Sequence, residues 1–261
     1  MTASRGRRIG RFFGLLLLAF AALQLWFLLR IALMAVVDPQ STAFQRSEAW
    51  RLLLADQPMA WQQHWLGQEA IATPLKRAVI ASEDAGFTEH SGVEWDALEK
   101  AWEKNARAEA VSDRANERAS RQEAARKHPA PAAPVRAPRV VGGSTITQQL
   151  AKNLFLGGER NLLRKAQELV LTWEMEALLG KQRILEIYLN SVEWGEGVFG
   201  AEAASRRYFR TGAGSLSAGQ AAHLAVLLPA PKRFEKRIGS PYVRGRAATI
   251  AARMGGVDLP R

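Results

Sequence analysis

Two adjacent acids, Glu83 and Asp84, close an apolar stretch and lead into Ala85-Gly-Phe-Thr-Glu-His90-Ser-Gly92. A carboxyl group at the edge of an apolar wall has its pKa raised, which suits a general base or acid. The plainer reading makes both acids solvated residues at a helix end. Acids there oppose the helix macrodipole, which weakens that reading slightly. His90 by itself reads as a structural hydrogen bonder. A second polar stretch, Gly142-Gly-Ser144-Thr-Ile-Thr-Gln148-Gln149, opens a helix that carries Lys152. Glycines and hydroxyls at a helix N-terminus offer backbone N–H groups to an anion, and Lys152 lies about two turns further on. A plain capping loop is the alternative. No Gly-Lys-Ser/Thr ending follows, so this is not a nucleotide P-loop.

In Arg164-Lys165-Ala-Gln-Glu168, Arg164 and Glu168 are i,i+4 and Lys165 and Glu168 are i,i+3, so all three share a helix face. A surface ion pair would look the same. Glu186 interrupts the apolar helix Ile184-Leu-Glu-Ile-Tyr-Leu-Asn190 and therefore needs a partner, most simply in a buried structural network. No Asp/Glu/His cluster has permanent metal-ligand spacing, and no nucleophile–His–Asp set stands out.

Helices must position these groups. Thr73-Pro74 reads as an N-cap with proline at the first helical position. Helical spacing then predicts Leu75 to about Asp84, Thr145–Leu156, Leu162–Leu179 with Gly180 as a stop, Ile184–Val192, and Ala218–Leu228 capped by Ser217. No alternating run is long enough for a substantial sheet. Residues 41–67 are rich in Trp and Leu, which suits either core or a membrane-facing surface.

The 261 residues include no cysteine, which excludes a disulfide framework, a thiolate metal site and a cysteine nucleophile. The 36 Lys+Arg against 25 Asp+Glu leave +11, unevenly spread. Residues 1–11 hold four arginines and no acid, and residues 104–139 hold nine bases against four acids. The basic tail (1–11) abuts an apolar run (12–37) that is long enough to span a bilayer. By the positive-inside rule the N-terminus is cytoplasmic and residues 38–261 lie outside it. Arg30 interrupts the run and would snorkel to the outer interface. A cleaved signal peptide is the rival reading, but the run is long for one and Leu33-Met-Ala35 lacks the small-x-small cleavage pattern. Residues 106–139 read as a mobile Ala/Arg/Pro-rich insertion: Ala/Arg/Glu-rich at first, extending the preceding helix as a solvated rod, then Pro-rich. That segment lacks interleaved aromatics, so no nucleic-acid partner is expected.

Five stretches resemble the peptidoglycan glycosyltransferase family: 83–92, 142–155, 164–168, 181–190 and 195–209, in the family's order. That family comprises monofunctional glycosyltransferases and the transglycosylase domains of bifunctional penicillin-binding proteins. One anchor, and no room for a second catalytic domain, resembles the monofunctional branch. The resemblance implies a mainly α, lysozyme-like domain with a small membrane-associated subdomain after one transmembrane helix. It implies transfer of the growing chain from undecaprenyl pyrophosphate to the GlcNAc 4-hydroxyl of lipid II, forming β-1,4 bonds with inversion. This would take place on the periplasmic face of the bacterial inner membrane. Glu83 matches the general base and Glu168 the second catalytic glutamate. Ser144, Lys152, Arg164 and Lys165 match the pyrophosphate site, and Asp84, Gln148 and Glu186 match supporting positions. A divalent cation, Mg or Mn, on Glu168 is left open, and no organic cofactor is implied. Expected partners are lipid II, the nascent strand, membrane lipid and other cell-wall synthesis proteins. Two positions depart from the pattern: Gln220 stands where many members carry Glu, and Ala230 where Asn is usual. A lysozyme-like hydrolase and a non-catalytic membrane scaffold are the competing functions. The cations Lys152, Arg164 and Lys165 favour a transferase, because cleaving a neutral glycan bond does not require them.

Overall fold

The computed structural model describes residues 2–55, 61–124, 143–159 and 161–260. It divides into two units, one made of residues 1–92 and 145–261 and the other of residues 93–144. The first begins with α1 (Thr2–Leu33), α2 (Ala43–Leu53), β1 (Gln62–Gln63) and α3 (Thr73–Glu83). The second unit carries α4 (Trp95–Ala124). The first then resumes with α5 (Ile146–Phe155), α6 (Leu162–Leu178), α7 (Gly180–Ser191), β2 (Glu193–Gly195), β3 (Val198–Phe199) and α8 (Ala201–Phe209). It ends with α9 (Ala218–Leu227), α10 (Pro231–Phe234) and α11 (Pro241–Arg253).

The chain is mainly helical, as its periodicity and its family resemblance both imply. The boundaries differ in detail. Thr73 is the first residue of α3 and Ala72 is its N-cap, so Pro74 sits one place deeper than expected. Proline is tolerated there because the first-turn N–H groups have no intrahelical partner. Gly180 ends α6 as expected, in the left-handed conformation at φ +69 just past the Leu179 C-cap, and the chain turns there directly into α7. The strands make one small sheet in the order β1-β3-β2, with β1 parallel and β2 antiparallel to β3.

The core of the first unit is built on α9, which packs between α3 and α11. Its Ala221, Ala222 and Ala225 are buried, and such small side chains let neighbouring backbones approach closely. Ser217 and Gln220 close a reciprocal capping box at its start. Gln220, one of the two departures from the family pattern, thus accepts the N-cap N–H as a glutamate would.

α1 leaves most of its apolar side chains exposed, and its Arg8–Leu33 portion is long and apolar enough to cross a membrane. The helix ends at Leu33, before Asp38-Pro39. Its last turns join the core of the first unit through Phe27 and Ile31, as does Met34 just past its end. Arg30, the irregular charge, lies over the rings of Trp26 and Phe155 at 5.1 and 5.7 Å, a cation–π arrangement. Deeper in α1, Gln24 and Gln167 of α6 exchange reciprocal amide hydrogen bonds of 2.9 and 3.0 Å.

In the second unit, helix continues through residues 106–124 of the expected insertion. The Ala/Arg/Glu composition favours helix, and ion pairs such as Arg107–Glu103 support it. All four acids of the 104–139 segment and five of its nine bases are on α4. Arg126, Lys127, Arg136 and Arg139 lie outside the described residues. In the 41–67 segment, Leu52 is buried while Trp50, Leu53 and Leu54 are exposed, so it is neither all core nor all surface.

Gly200 joins β3 to α8 at φ +83 and ψ 155, a conformation open essentially to glycine alone. A Cβ there would also lie 2.7 Å from the Asn190 carbonyl oxygen. Gly200→Ala is expected to cost about 2 kcal/mol or more, lowering the thermal midpoint by roughly 4–8 °C. Gly255→Ala, in open space, should leave it unchanged.

Candidate active site

The site is assembled where α3 ends and α5 begins. Asp84 follows α3 and is buried. Its Oδ2 accepts the Ile146 N–H of α5 at 2.9 Å, and its Oδ1 lies 2.7 Å from His90 Nε2. The Gly92 N–H donates to His90 Nδ1, so the proton is on Nε2 and His90 donates to Asp84. His90 is therefore the structural hydrogen bonder its sequence suggests. Thr145 and Gln148 close a capping box on the same helix end. Two of the N-terminal N–H groups of α5 are thus engaged within the chain, Ile146 by Asp84 and Gln148 by Thr145.

This junction sets Glu83 against Gln149. Gln149 Nε2 donates to Glu83 Oε2 at 3.0 Å, and Ser82 Oγ donates to Oε1 at 3.2 Å. The buried Tyr188 hydroxyl of α7 donates to Gln149 Oε1 at 3.0 Å, which directs the amide N–H toward Glu83. Burial pushes the Glu83 carboxyl up from its ordinary pKa, while the Gln149 and Ser82 hydrogen bonds and the Arg246 charge pull it partly back. Burial and the nearby Glu83 and Asp84 charges push Tyr188 well above the ordinary phenol value, so it stays a proton donor.

Gln149 also lines an open cleft of about 550 Å³. α5 contributes Lys152 and Asn153 to that cleft, α6 contributes Arg164, and Glu48 of α2 and Glu193 of β2 complete it. Arg164 Nη1 donates to Glu168 Oε2 at 2.8 Å, while its Nε is buried without a partner among the described residues. Lys165 binds the other Glu168 oxygen. Glu168 is only 3% exposed and Arg164 is half-buried, so this is more than a surface ion pair, with Lys165 on its solvent side. Each Glu168 oxygen already faces a cation, Arg164 on one and Lys165 on the other, and a divalent metal placed there would be repelled by both, so this carboxylate does not fit one. Glu186 has the partner it needs: Arg183 donates to it at 2.8 Å and ties it to Asp38 and the Met34 carbonyl just past α1.

Of the residues singled out from sequence, Lys152 and Arg164 meet in the cleft, and Glu83 joins it through Gln149. Lys165 and Glu168 are tied to it through Arg164, without lining it. Ser144 is the last residue of the second unit. Asp84 joins the end of α3 to α5, Gln148 caps α5, and Glu186 is tied through Arg183 to the segment after α1. Sequence reasoning passed over Gln149, Tyr188, Glu48, Glu193 and Lys232. A hydroxyl inside an apolar helix (Tyr188) and an acid between Val192 and Trp194 (Glu193) were the available signals.

The transglycosylase family model matches residues 53–115 and 130–255. A biosynthetic peptidoglycan transglycosylase of Burkholderia pseudomallei (strain K96243) is 50% identical over 243 residues, covering 93% of this chain and 84% of the relative. One from Paraburkholderia xenovorans (strain LB400) is 45% identical over 243 residues, covering 93% and 90%. Likeness of this extent runs through the helices that build the cleft as well as through the short motifs within it, and the chain belongs to the transglycosylase family.

Proposed function

We propose that this protein is a peptidoglycan glycosyltransferase that polymerises glycan strands from lipid II. One observation carries the reading: a desolvated carboxylate, Glu83, shares Gln149 with a cleft that presents Lys152 and Arg164. Glu83 takes the proton of the acceptor GlcNAc 4-hydroxyl as its oxygen bonds to the anomeric carbon of the growing chain. The anomeric C–O bond breaks, its electron pair leaves with undecaprenyl pyrophosphate, and a single displacement inverts the centre. Lys152 and the unpartnered Nε–H of Arg164 meet the charge that develops on the leaving group. Lys165 and Glu168 hold Arg164 in place. Asp84 and Gln148 keep Glu83 and α5 in register in this reading.

A hydrolase needs two working carboxyl groups. Glu168, saturated by Arg164 and Lys165, is poorly suited to be the second.

The arginine-rich tail supports a cytoplasmic N-terminus, with the catalytic unit on the periplasmic face of the bacterial inner membrane. Gln24 lies nine residues before Leu33, about 13 Å along the helix axis. Its bonds to Gln167 support a seat in which the start of α6 enters the outer leaflet. Leu162 and Leu163, 89% and 85% exposed, would then face lipid. Membrane lipid and other cell-wall synthesis proteins are the partners this seat allows.

Purified protein incubated with lipid II is expected to make glycan polymer. Glu83→Gln should lose at least ~100-fold in rate with an unchanged thermal midpoint; unchanged activity would remove Glu83 as the base, and cleavage of finished glycan without polymer would overturn the transferase. Glu83 works ionised, so the rate should fall as pH drops through its raised pKa, above the usual carboxylate range. Gln149→Leu removes a donor that favours the charged form and should move that acid limb to still higher pH. The absence of cysteine makes orientation testable with single introduced thiols. An impermeant maleimide should label Gly255→Cys in spheroplasts and Ser4→Cys only in inverted vesicles; the reverse pattern would refute this orientation.

A further inference from the structure

One buried acid in the cleft has no part in the chemistry above. Glu193, on β2, is 5% exposed and lines the cleft, yet its Oε1 has no hydrogen-bond partner among the described residues. Lys232 Nζ forms a long ion pair with that oxygen at 3.5 Å and gives its closer hydrogen bond to Glu48 Oε2, so Oε1 has a cation nearby but no well-formed hydrogen bond. Burying a carboxyl oxygen without a partner is costly unless something else supplies the hydrogen bond.

The donor and acceptor inventory says what that is. Lysine and arginine only donate, so Lys152 and Arg164 can serve phosphate oxygens but not hydroxyl or N–H protons. A carboxylate only accepts, and it repels phosphate. Glu193 and Glu48 therefore suit the part of the ligand that donates: sugar hydroxyls and acetamido N–H groups.

We propose that Glu193 is a substrate-positioning residue whose carboxylate accepts a hydrogen bond from a sugar hydroxyl or acetamido N–H, dividing the cleft into a carbohydrate side (α2 and β2) and a phosphate side (α5 and α6). This rests on the glycosyltransferase reading above and deepens it, because it assigns the two chemical halves of a sugar pyrophosphate to named residues. The electrostatics agree. Burial pushes the Glu193 carboxyl up to about 7; Lys232 pulls it down, and Glu48 and Glu235 push it up. The Tyr208 hydroxyl of α8, a further titratable neighbour that also senses Arg207, donates to the Trp194 carbonyl next to Glu193. The ionised form is the full acceptor, so substrate should be held less well as pH falls through about 7.

The test uses the full chain in detergent, with lipid II as substrate and inorganic pyrophosphate as an inhibitor. Glu193→Leu is expected to raise KM for lipid II about tenfold, with kcat within about threefold and inhibition by pyrophosphate unchanged. Glu193→Gln keeps an acceptor oxygen and should restore most of the affinity while losing the inflection of KM near pH 7 that the native protein shows. Lys152→Ala should do the converse and weaken pyrophosphate inhibition. If the leucine variant melts well below the native protein, Glu193→Asp withdraws the same oxygen without removing the charge and should show the same rise in KM. An unchanged KM in a folded variant, or pyrophosphate inhibition that falls in step with KM, overturns the division of the cleft. Native protein that makes no polymer overturns the underlying reading as well; polymer from native protein beside an unaffected leucine variant overturns the inference alone.

Discussion

The site depends on the buried Asp84 carboxylate. Asp84 follows the last residue of α3, which is Glu83, and grips the first residue of α5, three positions before Gln149. The two ends of this grip are 62 residues apart in sequence. Its second oxygen is held by His90, which the Gly92 N–H fixes in turn. Losing either partner would leave a charged oxygen buried and unpaired, so the junction is stable only as a whole. Glu83 and Gln149 meet because their neighbours do.

Around that junction the two glutamates of the motifs are treated in opposite ways. Glu83 is desolvated and given neutral donors, Ser82 and Gln149, which leave it basic. Glu168 is buried more deeply and is given two full cations, which make it an anchor for Arg164 and Lys165. The same side chain becomes a proton acceptor in one place and a scaffold in the other, and the charge of its partners marks the difference.

Much of this was legible in the residues. The i,i+3 and i,i+4 spacing in 164–168 is realised as ion pairs, and the capping signals at Thr145 and Ser217 mark true helix starts. What could not be read depended on contacts between distant segments. Nothing local to Asp84 says that it will fill the N-terminus of α5, so that end looked open to a ligand. Tyr188 and Gln149 are 39 residues apart, and each looks like an ordinary core or helix-surface residue until the fold joins them. Glu193 lies in a strand three residues long, too short for any periodicity to mark it.

The reciprocal amide bonds between Gln24 and Gln167 make the anchor part of the catalytic body. In the seat proposed above, with the start of α6 in the outer leaflet, neither amide has another partner in the hydrocarbon, and lifting the enzyme away from the bilayer would leave polar groups stranded. Its search for substrate is then confined to the plane of the leaflet. Molecules carrying a lipid tail approach along two dimensions at a fixed height, while a strand grown at that height has only the aqueous side into which to lengthen.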